Sequence, residues 1–242
     1  MADNLYALLK SDLEALKNPE KATILQRFFK TGKGQYGEGD IFLGITVPQS
    51  RKIAIKYKTL TQKEIKLLLT SKIHEERLIG LLILVRTFNN SDSIERKKIY
   101  EFYLSLSKYI NNWDLVDLSA DKIVGRYLYQ VGNADLRSIQ LSHFARSKNI
   151  WERRIAIVAT YHFIKNNRYD DTLKITEILL NDSHDLIQKA VGWMLREVGK
   201  RSQKTEEDFL KKHYKTMPRT MLRYAIEKFP EAKRKRYLRG II

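Results

Sequence analysis

Five segments of the chain repeat one amphipathic helical pattern, and this repeat restricts the possible folds more than any other feature of the sequence. Each segment begins with polar residues and continues with apolar residues at positions i, i+3, i+4 and i+7. The segments begin at His74, Trp113, Trp151, Leu186 and Met217. Other helical stretches lie between them, so the repeating unit is a pair of helices. Helix pairs that recur at such intervals are typical of HEAT-like and armadillo-like solenoids.

The repeat predicts an all-α fold, namely a curved superhelical solenoid of HEAT-like antiparallel helix pairs. Neither helix of a pair can bury its apolar face alone, so neighbouring pairs must stack. We find no alternating β-branched run bounded by a tight turn, which is the usual sign of a β-hairpin. We therefore expect a single repeat domain over residues 1–242, with about six helix pairs and a basic C-terminal end at 231–242.

Two prolines mark helix starts near the beginning of the chain. Asn18 and Pro19 separate two predicted helices, over 1–17 and 20–30, since asparagine favours the N-cap and proline the first turn. Pro48 is likewise expected in the first turn of a helix over 49–58. Predicted helices at 94–108, 136–147 and 172–181 lie between the repeated segments.

The net charge indicates a polyanionic partner. The chain has 45 Lys and Arg against 28 Asp and Glu, a formal net charge of +17 at pH 7. Residues 196–242 hold 15 basic and 6 acidic residues of this total. A basic face for nucleic acid is the first interpretation. Two others stay open: charge that only keeps the protein in solution, and attraction to an anionic membrane surface.

Composition and motifs exclude several kinds of chemistry. Without cysteine there is no thiol nucleophile, zinc knuckle or iron–sulfur cluster. The five histidines have no metal-ligand spacing, so we expect them to be solvated or to cap helices. No serine has a nucleophile-elbow context, and no Walker motif is present. We therefore expect no metal and no cofactor.

The glycine-rich stretch 31–40 contains the pattern G-x-G-x-x-G at 32–37. This pattern indicates a dinucleotide site only where it follows a strand and opens a helix, and here a helix precedes it. We expect instead a flexible loop, in which Lys33 and Tyr36 contact a phosphate backbone.

The start of the chain has acidic residues where a signal peptide would carry lysines, and it has no small-residue cleavage site. The longest apolar run, over 78–85, is much shorter than a membrane span. We expect a cytoplasmic protein that does not associate with membranes.

The register of the repeat places a row of charged residues near the N-termini of successive inner helices, which we expect on the concave face. The equivalent positions are Arg77, Asp117, Arg154, Lys189 and Thr220. Helix N-termini have unpaired N–H groups that favour phosphate. A carboxylate in such a row requires a separate reason.

Two tryptophans accompany this row. Trp113 is four residues before Asp117, so both share one helix face, and Trp193 is four residues after Lys189. The periodicity leaves two alternatives open, an aromatic–carboxylate site on the inner face or tryptophans that only fill the core.

Several segments resemble the AlkD family of DNA alkylation repair enzymes. They are NWDLVD at 112–117, NIWERR at 149–154, QKAVGWMLRE at 188–197, FLGI at 42–45 and MPRTMLR at 217–223. They occur in order, and the resemblance extends over about 22–237. It implies a stack of HEAT-like helix pairs, in agreement with the repeat.

The resemblance implies a monofunctional DNA glycosylase of base excision repair. Such an enzyme hydrolyses the N-glycosidic bond of purines alkylated at N3 or N7, of the 3-methyladenine and 7-methylguanine type. The family acts on duplex DNA without burying the damaged base in a pocket. The tryptophan–aspartate–tryptophan cluster of the family corresponds to Trp113, Asp117 and Trp193, and its DNA-binding arginine corresponds to Arg154.

Further DNA-binding candidates come from the basic positions of the repeat and of the glycine-rich loop. Beside Arg154 they are Arg77, Lys189, Arg153, Arg219 and Arg223, together with Lys33 and Tyr36. The expected partner is double-stranded DNA that carries alkylated purines. We expect a monomer without an obligate protein partner.

A carboxylate within a basic groove suits this reaction. An alkylated purine is already cationic, so it leaves as a neutral base and needs no general acid. The costly change is the positive charge that develops on the deoxyribose, and a nearby carboxylate stabilises that charge and orients the attacking water. Aromatic rings nearby add cation–π attraction.

The sequence departs from the family pattern at Asn112 and Thr46, where better-known members carry tryptophan and glutamine. A non-catalytic binder of branched or damaged DNA is therefore an alternative, on the same basic face. A HEAT-type scaffold for protein interactions is a third hypothesis, but it gives Asp117 and the tryptophans no role.

Overall fold

The computed structural model describes residues 5–242. These residues form helices and turns, and their β-pairing is limited to one isolated parallel bridge between Ile41 and Ile73. The prediction of an all-α fold is confirmed. The chain divides into two compact units, Met1–Ser119 and Ala120–Ile242. The single repeat domain over the whole chain stays a prediction, and the first four residues of the predicted opening helix lie outside the described residues.

The first unit contains seven α-helices within residues 5–119, with a 3₁₀ turn at Ser107–Tyr109. They are α1 (Leu5–Ala15), α2 (Pro19–Phe28), α3 (Val47–Lys56), α4 (Gln62–Leu69), α5 (His74–Asn90), α6 (Ser93–Ser105) and α7 (Trp113–Ser119).

Helix α5 forms the centre of the first unit. It is apolar on almost every face, which is typical of a helix that is enclosed on all sides. Ile79, Leu81 and Phe88 are fully buried, and α3, α4, α6 and α7 all pack against α5. A Cβ atom at Gly80 would lie only 3.0 Å from the Leu69 side chain, so the glycine lets α4 approach closely.

The predicted helix starts in this unit are confirmed. The Asn18 side chain accepts a hydrogen bond from the Lys21 N–H and caps α2, which begins at Pro19. Thr46 is the N-cap of α3, with Pro48 in the first turn. Both signals are local, so the sequence alone was sufficient to find them.

The segment between α2 and α3 packs closely against the start of α2. Gly44 has φ +82°, and a Cβ atom there would lie 2.1 Å from the Asn18 carbonyl oxygen. Only glycine fits this approach and this backbone conformation. The preceding Ile41 exchanges backbone hydrogen bonds with the chain on both sides of Ile73, at 3.1 Å and 2.8 Å. This pairing brings the residues around Ile41 to the N-terminus of α5.

The second unit, residues 120–242, begins with a π-helical turn at Asp121–Gly125 and includes a 3₁₀ turn at Ile226–Lys228. Its α-helices are α8 (Arg126–Val131), α9 (Ala134–Ala145), α10 (Ile150–Ala159), α11 (Tyr161–Lys165), α12 (Asp170–Leu179), α13 (Asp185–Gly199), α14 (Gln203–His213), α15 (Arg219–Ala225) and α16 (Glu231–Arg239).

Helix α13 is the centre of the second unit, and α10, α12, α14 and α15 pack against it. A Cβ atom at Gly192 would lie 2.4 Å from the Met221 carbonyl oxygen, so α13 and α15 touch through their backbones. Val191, Leu195 and Val198 are fully buried on the same helix.

The repeated segment that begins at Trp151 is broken in the structure. The pattern from Trp151 onward suggests one continuous helix, but α10 ends at Ala159 and α11 begins at Tyr161. Thr160 lies between them and its hydroxyl donates to the Ile157 carbonyl, at 2.7 Å. Such a side-chain bond competes with the helical backbone pattern.

Over residues 5–242, no helix combines the length and the apolar character that crossing a membrane requires.

Candidate active site

Helix α7 carries the predicted catalytic carboxylate and the first predicted tryptophan. Trp113 is its first residue, and Asp117 follows one turn later. Residues four apart on a helix lie about 5–6 Å apart at their Cβ atoms. Both side chains are half-buried, so they share one face that solvent reaches in part.

The Trp113 indole is part of an aromatic stack. It stacks on Phe29, with ring centroids 5.2 Å apart and an angle of 19° between the planes. Phe29 stacks in turn on Phe42, at 5.0 Å and 18°. The exposed Phe28 meets the indole at its edge, at 6.0 Å. Trp113 is therefore held by rings from outside its own helix.

Four charged side chains form a cluster at the start of α7, and we call Asp40, His74, Arg77 and Asp114 the buried charge cluster. The first three are buried, and Asp114 is half-buried. The ring nitrogens of His74 lie 3.3 Å from Asp40 (Nδ1) and 2.8 Å from Asp114 (Nε2). Arg77 Nη2 lies 2.6 Å from Asp40 Oδ2. Burial of charge is unfavourable unless each charge is paired, and here two cations face two carboxylates.

The cluster shifts the pKa values of His74 and Asp40. Burial opposes a charge on His74, but the two carboxylates outweigh burial and raise the pKa of His74 to about 9. Burial also opposes a charge on Asp40, yet His74 and Arg77 hold the pKa of Asp40 below its usual range. His74 is thus an imidazolium at neutral pH, and both of its N–H groups donate to carboxylates.

Asn112, one of the two departures from the family pattern, is fully buried. Its Oδ1 accepts a hydrogen bond from the Trp113 N–H at 2.8 Å, and its Nδ2 donates to Asp40 at 3.4 Å. Asn112 therefore caps α7 and joins it to the buried charge cluster. The other departure, Thr46, donates to Gln49 Oε1 at the start of α3.

A cavity of about 370 Å³ opens beside the cluster, within the first unit. Its walls are mostly apolar, from Ile24, Phe42, Val47 and other side chains, and Asp114 forms part of its polar end. The size is within the usual range of ligand pockets.

The buried residue Glu75 also lines the cavity. Its carboxylate accepts hydrogen bonds from the backbone N–H groups of Leu43, Gly44 and Ile45, at 2.9 to 3.2 Å. These three amides belong to the FLGI segment that carried part of the family resemblance. In this structure the segment holds the start of α5 in place.

Trp193, the second predicted tryptophan, lies on α13 in the second unit and is half-buried. Its Nε1–H donates to Glu197 Oε1 at 3.2 Å, and its ring lies 6.0 Å from that of Tyr161. Lys200 also contacts the same carboxylate, at 2.6 Å. The indole therefore has a polar partner on its own helix.

Arg77 does not occupy the position that a DNA-binding residue requires. It is only 2% exposed, and besides Asp40 it binds the Ser71 carbonyl oxygen at 2.7 Å. A phosphate cannot reach this guanidinium while the unit is folded. The repeat register correctly placed Arg77 in the first turn of α5. It could not show that other parts of the protein bury this turn.

The other predicted cations of the inner helices also bind within the second unit. Arg154 is 5% exposed and donates to the Leu186 carbonyl oxygen at 2.6 Å. Arg153 pairs with Asp182 at 2.6 Å, and Lys189 pairs with Asp185 at 2.8 Å. Contact with DNA would require Arg154 to leave a buried position, whereas Arg153 and Lys189 are partly open to solvent.

Four further candidates are more accessible. Lys33, Arg219 and Arg223 are exposed, and Tyr36 is half-buried. Arg219 donates to the Leu238 carbonyl oxygen at 2.7 Å, and the Tyr36 hydroxyl donates to the Phe28 carbonyl oxygen at 3.4 Å. DNA binding by these residues stays a prediction.

The glycine-rich loop at 31–40 has its own hydrogen bonds. The Gly34 N–H donates to Glu38 Oε2 at 2.7 Å, and the Gly37 N–H donates to the Lys30 carbonyl oxygen at 3.2 Å. The loop ends at Asp40, so its last residue belongs to the buried charge cluster. The sequence reasoning missed this role, because its only local signal is an acidic residue after a run of glycines.

His74 is the second residue that sequence reasoning missed. We expected solvated or capping histidines, and this description is wrong for His74, which is 2% exposed and bound to two carboxylates. It is adequate for His184, whose ring accepts from the Leu186 N–H and caps α13. The signal available for His74 was a histidine in the first turn of a helix whose middle part, 78–85, is wholly apolar.

The fold and the site together define an all-α protein of stacked helices with a half-buried tryptophan–aspartate face and an excess of basic residues. The sequence matches the family described as "DNA alkylation repair enzyme" over residues 9–229. Because the match includes nearly the whole chain, the protein belongs to the DNA alkylation repair enzyme family. The family resemblance of the motifs is confirmed.

Solved structures show the same fold. A predicted DNA alkylation repair enzyme from Enterococcus faecalis matches with a TM-score of 0.69 and 17% identity, over 89% of this chain and 97% of the other. AlkD2 from Streptococcus mutans matches with a TM-score of 0.55 and 17% identity, over 88% of this chain and 98% of the other. The protein smu.31 of Streptococcus mutans UA159 matches with a TM-score of 0.54 and 16% identity, over 88% of this chain and 98% of the other.

Comparison with curated proteins gives no match.

Proposed function

We propose that this protein is a monofunctional DNA glycosylase that excises cationic N3- and N7-alkylated purines from duplex DNA. Asp117 is the proposed catalytic carboxylate, and Trp113 and Trp193 are the proposed aromatic residues of the site. Membership of a family of DNA alkylation repair enzymes and the basic charge of the chain support DNA as the substrate.

The placement of Asp117 beside Trp113 on a supported helix carries the proposal. Both side chains are open in part to solvent, while the start of the same helix is held by the buried charge cluster. A carboxylate on a fixed element is suited to stabilise developing positive charge, because it need not reorganise during the reaction.

The chemistry requires little more than this charge and access for water. Alkylation makes the base a good leaving group, so the N-glycosidic bond breaks with oxocarbenium character on the deoxyribose. The Asp117 carboxylate stabilises this cation and orients the water that adds to the sugar carbon. Indole faces add about 0.5–2 kcal/mol each through cation–π attraction, depending on how well water is excluded.

Release of 7-methylguanine from methylated duplex DNA tests the proposal. Asp117→Asn keeps the size of the side chain but removes its charge, and we expect the rate to fall at least about 100-fold, which corresponds to about 3 kcal/mol. Glu101→Gln is the matched control, since it neutralises an exposed acid on α6 of the same unit, and we expect it to keep the wild-type rate. Equal rates for wild type and Asp117→Asn contradict the mechanism.

The second candidate function is binding of branched or damaged DNA without excision. It is favoured by Asn112, which fills the position of a family tryptophan and is buried in hydrogen bonds, so no aromatic face is available there. This function predicts no base release by wild type, together with DNA affinity that falls steeply between about 50 and 200 mM salt. Base release by wild type excludes it.

A further inference from the structure

We propose that His74 is a positioning residue for the excision reaction, because it fixes the start of α7 and thereby the placement of Trp113 and Asp117. The inference rests on the proposed function. His74 cannot touch DNA, since it is 2% exposed, so any effect on the reaction must pass through its neighbours.

The first connection from His74 to α7 is direct. Its Nε2–H donates to Asp114 Oδ2 at 2.8 Å, and Asp114 Oδ1 also accepts the Leu115 N–H at 2.8 Å. Asp114 is three residues before Asp117, so both belong to the same helix face. In a helix of only seven residues, a bond in the first turn restricts the position of the whole element.

The second connection goes through Asp40. This carboxylate accepts hydrogen bonds from His74 Nδ1 and from Asn112 Nδ2, and Asn112 caps α7 at the Trp113 N–H. The two connections meet at the first two residues of α7. Because they come from different sides of the imidazole ring, together they oppose both translation and rotation of the helix start.

A third contact reaches the indole itself. Phe42 stacks on the His74 ring, with centroids 4.4 Å apart, and Phe29 lies between Phe42 and Trp113 in the aromatic stack. The imidazolium therefore supports the aromatic stack that holds Trp113. It also holds the carboxylate of Asp114, the residue that follows Trp113 in the sequence.

The charges around His74 decide its state. Burial opposes the imidazolium, Asp114 and Asp40 favour it, and Arg77 opposes it. The carboxylate of the adjacent Glu75 is engaged by three backbone amides. The balance raises the pKa of His74 to about 9. Both N–H donors are consequently present at the pH at which DNA repair operates, and neutral substitutes lose at least one of them.

Two variants test the inference kinetically. His74→Gln removes the charge and one donor. Asp114→Asn keeps the size of the side chain but removes its negative charge and one of its two accepting oxygens, so the bonds from His74 and from the Leu115 N–H cannot both remain. We expect kcat for 7-methylguanine release to fall about 10–100-fold in each, with KM for the duplex within about threefold, since displacement by about 1 Å can reduce a rate 100-fold. The double variant should lose little more than His74→Gln alone, because the bond between Asp114 and His74 is already absent there.

His162→Gln is the matched control. His162 is a half-buried histidine of the second unit whose pKa burial lowers to about 4, so it is neutral and outside the buried charge cluster. We expect its kcat within about twofold of wild type. Wild-type kcat in both His74→Gln and Asp114→Asn overturns the inference, and so do losses that multiply in the double variant.

A second measurement separates this inference from the proposed function. The indole N–H signal of Trp113 in an NMR spectrum, assigned with Trp113→Phe, should shift in His74→Gln and in Asp114→Asn but not in His162→Gln. If wild type releases no base, the proposed function fails, while a shifted Trp113 signal still supports positioning by His74. An unchanged signal in both variants overturns positioning whether or not wild type is active.

Discussion

Two sites with buried ionisable groups, one around His74 in the first unit and one at Glu206 in the second unit, are of opposite kinds. In the first unit, His74 and Arg77 are paired with Asp40 and Asp114, and the cluster is fully charged. In the second unit, Glu206 is buried on α14, and no hydrogen bond to its Oε1 is made within residues 5–242. Burial and the negative charge of Glu207 raise the pKa of Glu206 to about 8.

The surroundings of Glu206 explain the difference. Its Oε2 occupies the space over Gly199, where a Cβ atom would lie 1.7 Å away. Gly199 is the last residue of α13, and the C-terminal end of a helix disfavours negative charge. The carboxyl group is therefore neutral at neutral pH. A buried group thus keeps its charge where partners of opposite sign are bonded to it, as around His74, and becomes neutral where they are not, as at Glu206.

Breaking the compensated cluster should have the largest effect. Arg77→Met removes one of its two cations while it keeps most of the side-chain volume. We expect the free energy of unfolding, measured with urea, to decrease by about 3–5 kcal/mol, because carboxylates are left underpaired in the interior. Arg86→Met, at an exposed position of the same helix, is the control and should change stability by less than about 0.5 kcal/mol.

Loss of the proton from His74 should be the next largest effect. The folded protein binds this proton more tightly than the unfolded chain, whose histidine pKa is about 6.5. The stabilisation is therefore complete below pH 6.5 and is lost as the pH rises through about 9. We expect a loss of about 3 kcal/mol across this range, measured as the free energy of unfolding against pH. His74→Gln should lack this loss. If the free energy of unfolding changes with pH equally in wild type and in the variant, His74 is not the titrating group.

Neutralising Glu206 should have a smaller effect of the opposite sign. The unfolded chain loses the Glu206 proton near pH 4.5, while the folded protein holds it up to about pH 8. The associated stability is complete below pH 4.5 and is lost as the pH rises through 8. Glu206→Gln removes this penalty, and we expect a gain of about 2 kcal/mol at pH 6.5 relative to pH 4.5. A gain that does not depend on pH would mean that Glu206 is not the titrating group.

A pair of tyrosines gives the smallest expected difference. The Tyr103 hydroxyl in the first unit is bonded to Ser119 Oγ at 2.9 Å. The buried Tyr237 hydroxyl in the second unit forms no hydrogen bond within residues 5–242. Tyr103→Phe should therefore lower the free energy of unfolding by about 1 kcal/mol, and Tyr237→Phe should change it by less than about 0.5 kcal/mol. Equal losses would remove this contrast between the units.

Local features of the sequence were sufficient for the helices and for the spacing of Trp113 and Asp117. The 3.6-residue period, the Asn18 cap and Pro48 depend on residues within a turn or two of one another, and the structure has them as predicted. The motifs also identified the family correctly. The joint site of Asp117 and the two tryptophans stays a prediction.

The roles of the charged residues were decided by tertiary structure. The repeat register placed Arg77 and Arg154 at helix starts, but it could not show that both would be buried and bound to groups 32 to 37 residues away in the chain. The buried charge cluster similarly joins His74 to carboxylates 34 and 40 residues away. Periodicity shows which face a side chain occupies but carries no information about what packs on that face. Whether a cation binds DNA or the interior of the protein depends on that packing.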